Sequence, residues 1–187
     1  GNTIEAEIID LPGTYSLYPK SPEERIPFQL LCDPQNEAHP DLTIVVADGA
    51  NLKRNLFLAS QLVDLKIPVV LVINMMDIVR FKKININFEK LSVRLGVPIV
   101  SMNARKQEGL KELKEAIAKP FSPPANDFID IRPFAPEVID TIRQTVNVNS
   151  NYNAFLVANN LDLISNFEIP EFKKEKIRAV CAQYEFN

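Results

Sequence analysis

The fold is decided by residues 42–74, LTIVVADGANLKRNLFLASQLVDLKIPVVLVIN, in which two apolar runs enclose a helical pattern. The runs Leu42–Asp48 and Val69–Asn74 are rich in β-branched residues and are continuous rather than alternating, which is typical of parallel strands buried on both faces. Between them, Leu52–Leu65 repeats apolar residues at helical spacing. Such a strand–helix–strand unit is the building block of doubly wound α/β sheets.

The same alternation extends in both directions along the chain. Upstream, Thr3–Ile9 alternates polar and apolar residues and predicts a strand that ends at Asp10. Downstream, Pro98–Met102 predicts a short strand, with helical patterns over Phe88–Leu95 and Leu110–Ala118. The order of these elements predicts an α/β fold with a doubly wound, mostly parallel sheet.

A proline-rich stretch over residues 10–40 interrupts the alternation. Within it a helix is predicted to begin after Ser21, because Pro22 suits the first helical position and Glu24 completes a capping box. This helix is expected to run to about Cys32. Long loops around one short helix, beside the end of a strand, often form a functional segment.

A second proline-rich stretch, residues 120–136, separates the α/β pattern from the rest of the chain. After it the pattern is only helical, over Glu137–Val146, Tyr152–Ile164 and Ile169–Tyr184. We therefore predict two units, an α/β domain over residues 1–120 and a small all-α subdomain over residues 121–187.

The composition narrows the classes of function. The 187 residues carry a net charge of -3, whereas a nucleic-acid-binding domain usually presents a basic face, so no nucleic-acid partner is predicted. No apolar run approaches the roughly 20 residues of a transmembrane helix. Only five glycines are present, and neither a GxxxxGK[ST] phosphate loop nor a GxGxxG fingerprint occurs. Any nucleotide site must therefore rest on other residues.

Polar residues follow three of the apolar runs, at the sheet edge where open parallel sheets bind ligands. The three groups are Asp10-Leu11-Pro12-Gly13, Asn74-Met75-Met76-Asp77 and Asn103-Ala104-Arg105. Each group alone is a common loop sequence, since Asn and Asp are frequent in turns. Their order and spacing, each after an apolar run, predict a fold that binds guanine nucleotides.

The first group suits the phosphate end of a nucleotide. Asp10 can hold the water shell of Mg²⁺, a cation that prefers carboxylates and keeps its waters. Gly13 lets a backbone N–H approach a terminal phosphate because no Cβ stands in the way. The following residue, Thr14, lies where many GTPases carry a water-orienting glutamine and is too short to replace it, so we assign no catalytic residue.

The other two groups suit the guanine base. Asp77 can accept two hydrogen bonds, from the N1–H and the exocyclic amine of guanine, which adenine cannot match. Asn74 can bond the base N7 and tie adjacent loops together, while the Ala104 N–H can donate to O6 and the Arg105 stem can cover the base. Met75 and Asn103 complete the predicted set of nucleotide-binding residues.

Three stretches carry a family resemblance: DLPGTYSLYPKSPEER (residues 10–25), NLKRNLFLASQL (residues 51–62) and VVLVINMMD (residues 69–77). They resemble the cytosolic GTP-binding domain of the bacterial ferrous iron transport protein B family. Met75 stands where most GTPases have lysine, as is typical of that family. The resemblance runs to about residue 120, and the helical tail matches the family in position and type.

The resemblance implies a P-loop-GTPase-like sheet that here lacks its first strand and its P-loop, because the family pattern is cut before the second switch. Asp10 and Gly13 would belong to that switch, and Asn74 and Asp77 would select guanine, with residues 103–105 closing the pocket. The intact protein would bind GTP and GDP with Mg²⁺ and hydrolyse GTP slowly. The fragment is expected to bind GTP poorly or not at all, because the missing groups supply most phosphate binding.

The resemblance also implies that the domain lies on the cytoplasmic side of the bacterial inner membrane and regulates Fe²⁺ uptake through a separate transmembrane region. Fe²⁺ would be the transported ion and would not bind here, and the helical tail would relay nucleotide state. An exposed inner edge of the sheet would favour association of copies. Two alternatives stay open, a soluble GTPase of another class, such as one acting in ribosome assembly, and a non-enzymatic adaptor with a GTPase-like core.

Overall fold

The computed structural model describes residues 5–161, 163 and 169–184. In these residues the helices and strands follow one another as α1 (Pro22–Cys32), β1 (Thr43–Asp48), α2 (Leu52–Asp64), β2 (Val69–Asn74), α3 (Met76–Phe81), α4 (Phe88–Leu95), β3 (Ile99–Ser101), α5 (Leu110–Ile117), α6 (Pro136–Thr145), α7 (Asn151–Asn159) and α8 (Glu171–Cys181). The alternation of strands and helices through α5 confirms the predicted α/β class. No described helix is both long and apolar enough to cross a bilayer.

The strands form one parallel sheet in the order β1-β2-β3. The register pairs Thr43 with Val69 and Asp48 with Asn74 along β1 and β2, so these two strands end level with each other. The first five residues of β2 are all buried because it is the central strand with packing on both faces. This position explains the continuous apolar run that the sequence shows.

Helices cover both faces of the sheet. On one face, Leu71 and Ile73 belong to a large core that includes residues of α2 and of the C-terminal helices. On the other face, a smaller cluster that includes Val70 and Val72 packs against α5 through Leu113. Packing on both faces confirms the doubly wound arrangement.

The strand predicted over Thr3–Ile9 is wrong for its described part. Residues 5–9 form no strand and are exposed, and Thr3 and Ile4 lie outside the described residues. A strand needs a hydrogen-bonded neighbour, and within the described part of the chain nothing pairs with the outer edge of β1. The alternating pattern supplies an amphipathic segment but no partner for its backbone.

Helix α1 begins where the sequence predicts. The Ser21 Oγ accepts a hydrogen bond from the Glu24 backbone N–H at 3.3 Å, and Pro22 is the first helical residue. The Glu24 carboxylate accepts from the backbone N–H of Lys20 at 2.7 Å rather than from that of Ser21. The capping box is therefore shifted by one residue, but it still fixes the start of the helix.

The C-terminal region is helical, as predicted, and shares the core of the sheet. Its buried residues Ile139, Leu156 and Ile177 belong to the same continuous cluster as Leu71. The helix predicted to run to Ile164 ends at Asn159, and residues 162 and 164–168 lie outside the described part. The division into two units at residue 120 stays a prediction.

The segment that joins the two regions is attached to the end of α2. The Phe128 backbone N–H donates to the Asp64 carboxylate at 2.7 Å, and the Lys66 ammonium contacts both the Asn126 carbonyl and the Asp127 carboxylate at 2.7 Å. Asp64 itself is buried, and burial raises the pKa of its carboxyl. These contacts hold the linker against the α/β region.

Candidate functional site

The end of β2 turns abruptly into α3. Asn74 is the last residue of the strand, and Met75 adopts a left-handed backbone with φ of 60° before α3 begins at Met76. This conformation is uncommon for a residue with a side chain and is found mostly where the surrounding structure imposes it. The turn leaves Asp77 exposed in the first turn of the helix, while Val79 anchors the helix in the core.

The loop after β3 is held in a compact conformation by hydrogen bonds within residues 103–108. Asn103 is buried, exchanges two backbone hydrogen bonds with Glu108 at 3.0 and 3.2 Å, and its Oδ1 accepts from the Lys106 N–H at 3.4 Å. Gly109 closes the loop with a φ of 85°, and a Cβ there would lie 2.2 Å from the carbonyl oxygen of Ser101. Only glycine fits this position, so the loop can stay this compact.

Two hydrogen bonds join the two loops. The Ala104 backbone N–H donates to the Asn74 Oδ1 at 3.0 Å, and the Met76 N–H donates to the Met102 carbonyl at 3.3 Å. The predicted role of Asn74 in tying adjacent loops is thus seen directly. The Ala104 N–H is occupied by this bond, so donation to guanine O6 requires it to turn away from Asn74.

Several groups at these loops have no protein partner within the described residues. The Asn103 Nδ2 is buried without a hydrogen bond, which is costly unless a partner is supplied from outside. The side chains of Asp77 and Arg105 are exposed and form neither a hydrogen bond nor an ion pair in the described part of the chain. These loops therefore present one carboxylate acceptor and two donor side chains that have no partner among the described residues.

The predicted phosphate-side residues are placed differently. Asp10 is exposed and has no hydrogen-bond partner among the described residues, and no atom lies within 4 Å of a Cβ built on Gly13. The Thr14 hydroxyl donates to the Ser16 carbonyl at 2.6 Å, a local turn contact. No hydrogen bond among described residues connects Asp10 or Gly13 to the loops that carry Asn74 and Ala104.

Asp48 also lies at this edge of the sheet, and the sequence reasoning missed it. It ends β1 directly beside Asn74, and its carboxylate accepts from the Asn51 amide at 2.6 Å and from the Ala50 N–H at 2.8 Å. The bond from Asn51 is the main reason why the pKa of this carboxyl is lowered. The signal was available, because Asp48 follows an apolar run just as Asp10 and Asn74 do.

The described residues give no ready-made metal centre. No group of three or more His, Cys, Asp or Glu side chains converges within them. Asp10 therefore offers a single carboxylate, which suits a water-mediated contact and not direct coordination of a cation by the chain alone.

Comparison with known proteins places the chain in a family. A family model described as "Ferrous iron transport protein B" matches residues 2–117. The chain belongs to the ferrous iron transport protein B family. The match includes all three groups of predicted site residues.

Curated members of the ferrous iron transport protein B family are much longer than this chain. The chain is 45% identical over 111 residues to a Porphyromonas gingivalis protein named "Fe(2+) transport protein A/Fe(2+) transporter FeoB fusion protein", which covers 59% of the chain and 13% of that protein. It is 37% identical over 131 residues to the Salmonella typhimurium Fe(2+) transporter FeoB, which covers 70% of the chain and 17% of that protein. The chain thus spans less than a fifth of either relative.

Solved structures of the family share the fold over almost the whole chain. The crystal structure of mGMPPNP-bound NFeoB from S. thermophilus matches with a TM-score of 0.68 at 28% identity, covering 94% of this chain and 68% of that one. The cytosolic domain of the T. maritima FeoB iron transporter in its GMPPNP form gives a TM-score of 0.68 at 26% identity, covering 94% and 73%. The similarity includes the helical region as well as the sheet.

Proposed function

We propose that this chain is part of the GTP-binding domain that regulates ferrous iron uptake by a bacterial transporter. The observation that carries the proposal is the bond between Asn74 and Ala104, which joins the two loops predicted to read the base. Family membership and the nucleotides named for the similar S. thermophilus and T. maritima structures support a guanine nucleotide as the ligand.

The base would be recognised by groups that the fold leaves available. Asp77, exposed in the first turn of α3, would accept from the N1–H and the amine of guanine. Asn74 would bond N7, with Met75, Asn103 and Ala104 lining the pocket, and Arg105 would cover the base with its aliphatic stem. Helix α3 has only six residues, so its N-terminus does not form an anion site. Specificity for guanine therefore rests on these side chains.

The phosphates would be bound poorly by this chain. The sequence contains no phosphate loop, and Asp10 and Gly13 are open and unattached to the base-reading loops. In the intact protein, Mg²⁺ would neutralise phosphate charge, and Asp10 would contact it through water. We assign GTP binding and slow hydrolysis to the intact protein and only weak nucleotide binding to the chain alone.

The wider role follows from the family. The domain would act on the cytoplasmic side of the inner membrane, with residues 121–187 as the helical unit that links residues 1–120 to a transmembrane region. Fe²⁺ would be the transported ion and would not bind here. The outer edge of β1 has no paired strand within the described residues, and Ile44 and Val46 of this strand are exposed, which supports association of copies through the sheet.

The proposal is tested by exchanging the base-reading carboxylate. Asp77→Asn replaces a carboxylate with two acceptor oxygens by a carboxamide with one acceptor and one donor. At millimolar nucleotide concentrations, the chain should therefore change its preference from guanosine diphosphate to xanthosine diphosphate. Asp41→Asn, at the opposite end of β1, is the matched control and should leave the preference unchanged. Binding of adenosine and guanosine diphosphates with equal affinity would contradict the proposal. Micromolar affinity of the chain for GTP would overturn the assignment of weak binding.

A further inference from the structure

Gln61 lies at a junction between three parts of the chain. It belongs to α2 and is only 1% exposed, so both ends of its amide need partners within the protein. Its Oε1 accepts a hydrogen bond from the Leu17 backbone N–H at 2.9 Å. Its Nε2 donates to the Tyr152 hydroxyl at 2.8 Å. These partners come from the segment after Gly13 and from α7.

The network closes on itself. The Tyr18 side chain, which follows Leu17 directly in sequence, lies close to the Tyr152 hydroxyl and interacts with it electrostatically. Tyr152 is buried, which raises the pKa of its hydroxyl, so it stays protonated and keeps its donor. The ring of contacts therefore runs from the Leu17 backbone through Gln61 and Tyr152 to the side chain of Tyr18.

A neighbouring contact strengthens the same connection. The Asn153 amide, beside Tyr152 on α7, donates to the carbonyl of Cys32 at the end of α1 at 3.2 Å in a buried position. The segment after Gly13, helix α1 and helix α7 are thus held together by hydrogen bonds inside an apolar core. Breaking any one of these bonds leaves a buried polar group without a partner, which is unfavourable.

We infer that Gln61 is a positioning residue that fastens the segment after Asp10–Gly13 to the helical region through Tyr152. The Gln61 carboxamide forms both of its hydrogen bonds only when the Leu17 N–H and the Tyr152 hydroxyl are both in place. A shift of the segment therefore disturbs α7, and a shift of α7 disturbs the segment. The functional value of this coupling rests on the proposed role of Asp10–Gly13 at the phosphates, whereas the coupling itself needs no nucleotide.

The test is residue-resolved amide hydrogen exchange on Tyr152→Phe, without nucleotide. This change removes one hydroxyl from α7 and touches no atom of Leu17. Tyr152→Phe leaves the Gln61 Nε2 without an acceptor, so the Gln61 amide no longer holds its Oε1 in place for the Leu17 N–H. We expect the Leu17 N–H to exchange at least about 5-fold faster. The amides of β2 should change only by the difference in global stability. Tyr15→Phe, which removes a hydroxyl from the segment but lies outside the network, is the matched control.

Two further variants separate coupling from simple loss of stability. Gln61→Glu keeps an acceptor for the Leu17 N–H and should protect that amide better than Gln61→Leu, which removes both bonds at similar bulk. Equal acceleration of Leu17 and of the β2 amides in Tyr152→Phe would overturn the inference, as would an unchanged Leu17 rate. Neither outcome depends on nucleotide, so failure here is distinct from failure of the proposed function.

Discussion

The two sides of the candidate nucleotide site are held in place by different means. On the base side, Asn74 ends β2 and Asn103 lies just after β3, two strands that are paired in the sheet, and the loops are cross-linked by the Ala104 N–H. On the phosphate side, Asp10 and Gly13 follow a segment with no paired strand in the described residues. The first arrangement inherits its geometry from the sheet, and the second does not.

The phosphate-side segment makes contacts with α2 only further along, at Tyr15 and Leu17. Tyr15 lies under the guanidinium of Arg54, 3.6 Å from the ring centre, and Leu17 is buried with its N–H bonded to Gln61. Both attachments come from α2 and not from a neighbouring strand. The base-side loops are therefore held by the paired strands that they follow. The phosphate-side segment is held by contacts with side chains of α2.

The largest expected effect is on the base side. Gly109→Ala places a Cβ 2.2 Å from a carbonyl oxygen at a φ of 85°, so we expect a loss of about 2–4 kcal/mol of unfolding free energy. Urea denaturation measures it. Gly96→Ala is the control, because its φ of 69° is similar but the nearest atoms to its Cβ would belong to the Asn126 side chain, at 3.1 Å or more. Equal losses in the two variants would show that the loop is not constrained as described.

The next effect concerns the bond between the two base-side loops. Asn74→Ala removes the acceptor of the Ala104 N–H, so that amide should exchange about 3- to 10-fold faster, as expected for the loss of one hydrogen bond. Asn85→Ala, an exposed asparagine after α3, is the matched control. If the Ala104 amide exchanges alike in both variants, the sheet alone positions the loop and the cross-link is unnecessary.

A smaller effect is expected on the phosphate side. Tyr15→Ala removes the ring beneath Arg54 and should cost about 0.5–1 kcal/mol, the usual range for an exposed cation–π contact. Tyr15→Phe keeps the ring and should retain most of this stability. Thermal unfolding of the two variants distinguishes them, and equal melting temperatures would mean that the stack does not hold the segment.

The smallest effect is a pH dependence at Asp48. Its carboxyl has a lowered pKa in the folded state, so its contribution is present above the unfolded value of about 3.9 and is lost as pH falls through the folded value. The stability difference between the native chain and Asp48→Asn should be a few tenths of a kcal/mol at neutral pH, since the group is well solvated. It should shrink below about pH 4, and a difference that grows on acidification would contradict the sign.

The sequence predicted the base side well because strands and their ends carry local signals. The run Val69–Asn74 has the same bounds in the structure, and so does Phe88–Leu95. The position of Asn74 next to Ala104 followed from the rule that parallel strands end at one edge. The roles of Asp77 and Arg105 toward guanine stay predictions.

The phosphate side was predicted less well because its geometry depends on distant partners. The alternation of residues 5–9 gives no information about whether a neighbouring strand is present, so the predicted strand was wrong there. The bond between Leu17 and Gln61 spans 44 residues, and that between Gln61 and Tyr152 spans 91. No periodicity in one sequence reports contacts at such separation.

The most direct test of this account is a titration of the ¹⁵N-labelled chain with guanosine diphosphate, followed at each backbone amide by NMR. The account predicts weak, millimolar binding in which the amides of residues 74–77 and 103–106 shift while those of residues 10–13 do not. Adenosine diphosphate should leave the base-side amides unchanged. Tight binding with large shifts at residues 10–13, or equal responses to the two nucleotides, would contradict a preformed base side paired with an open phosphate side.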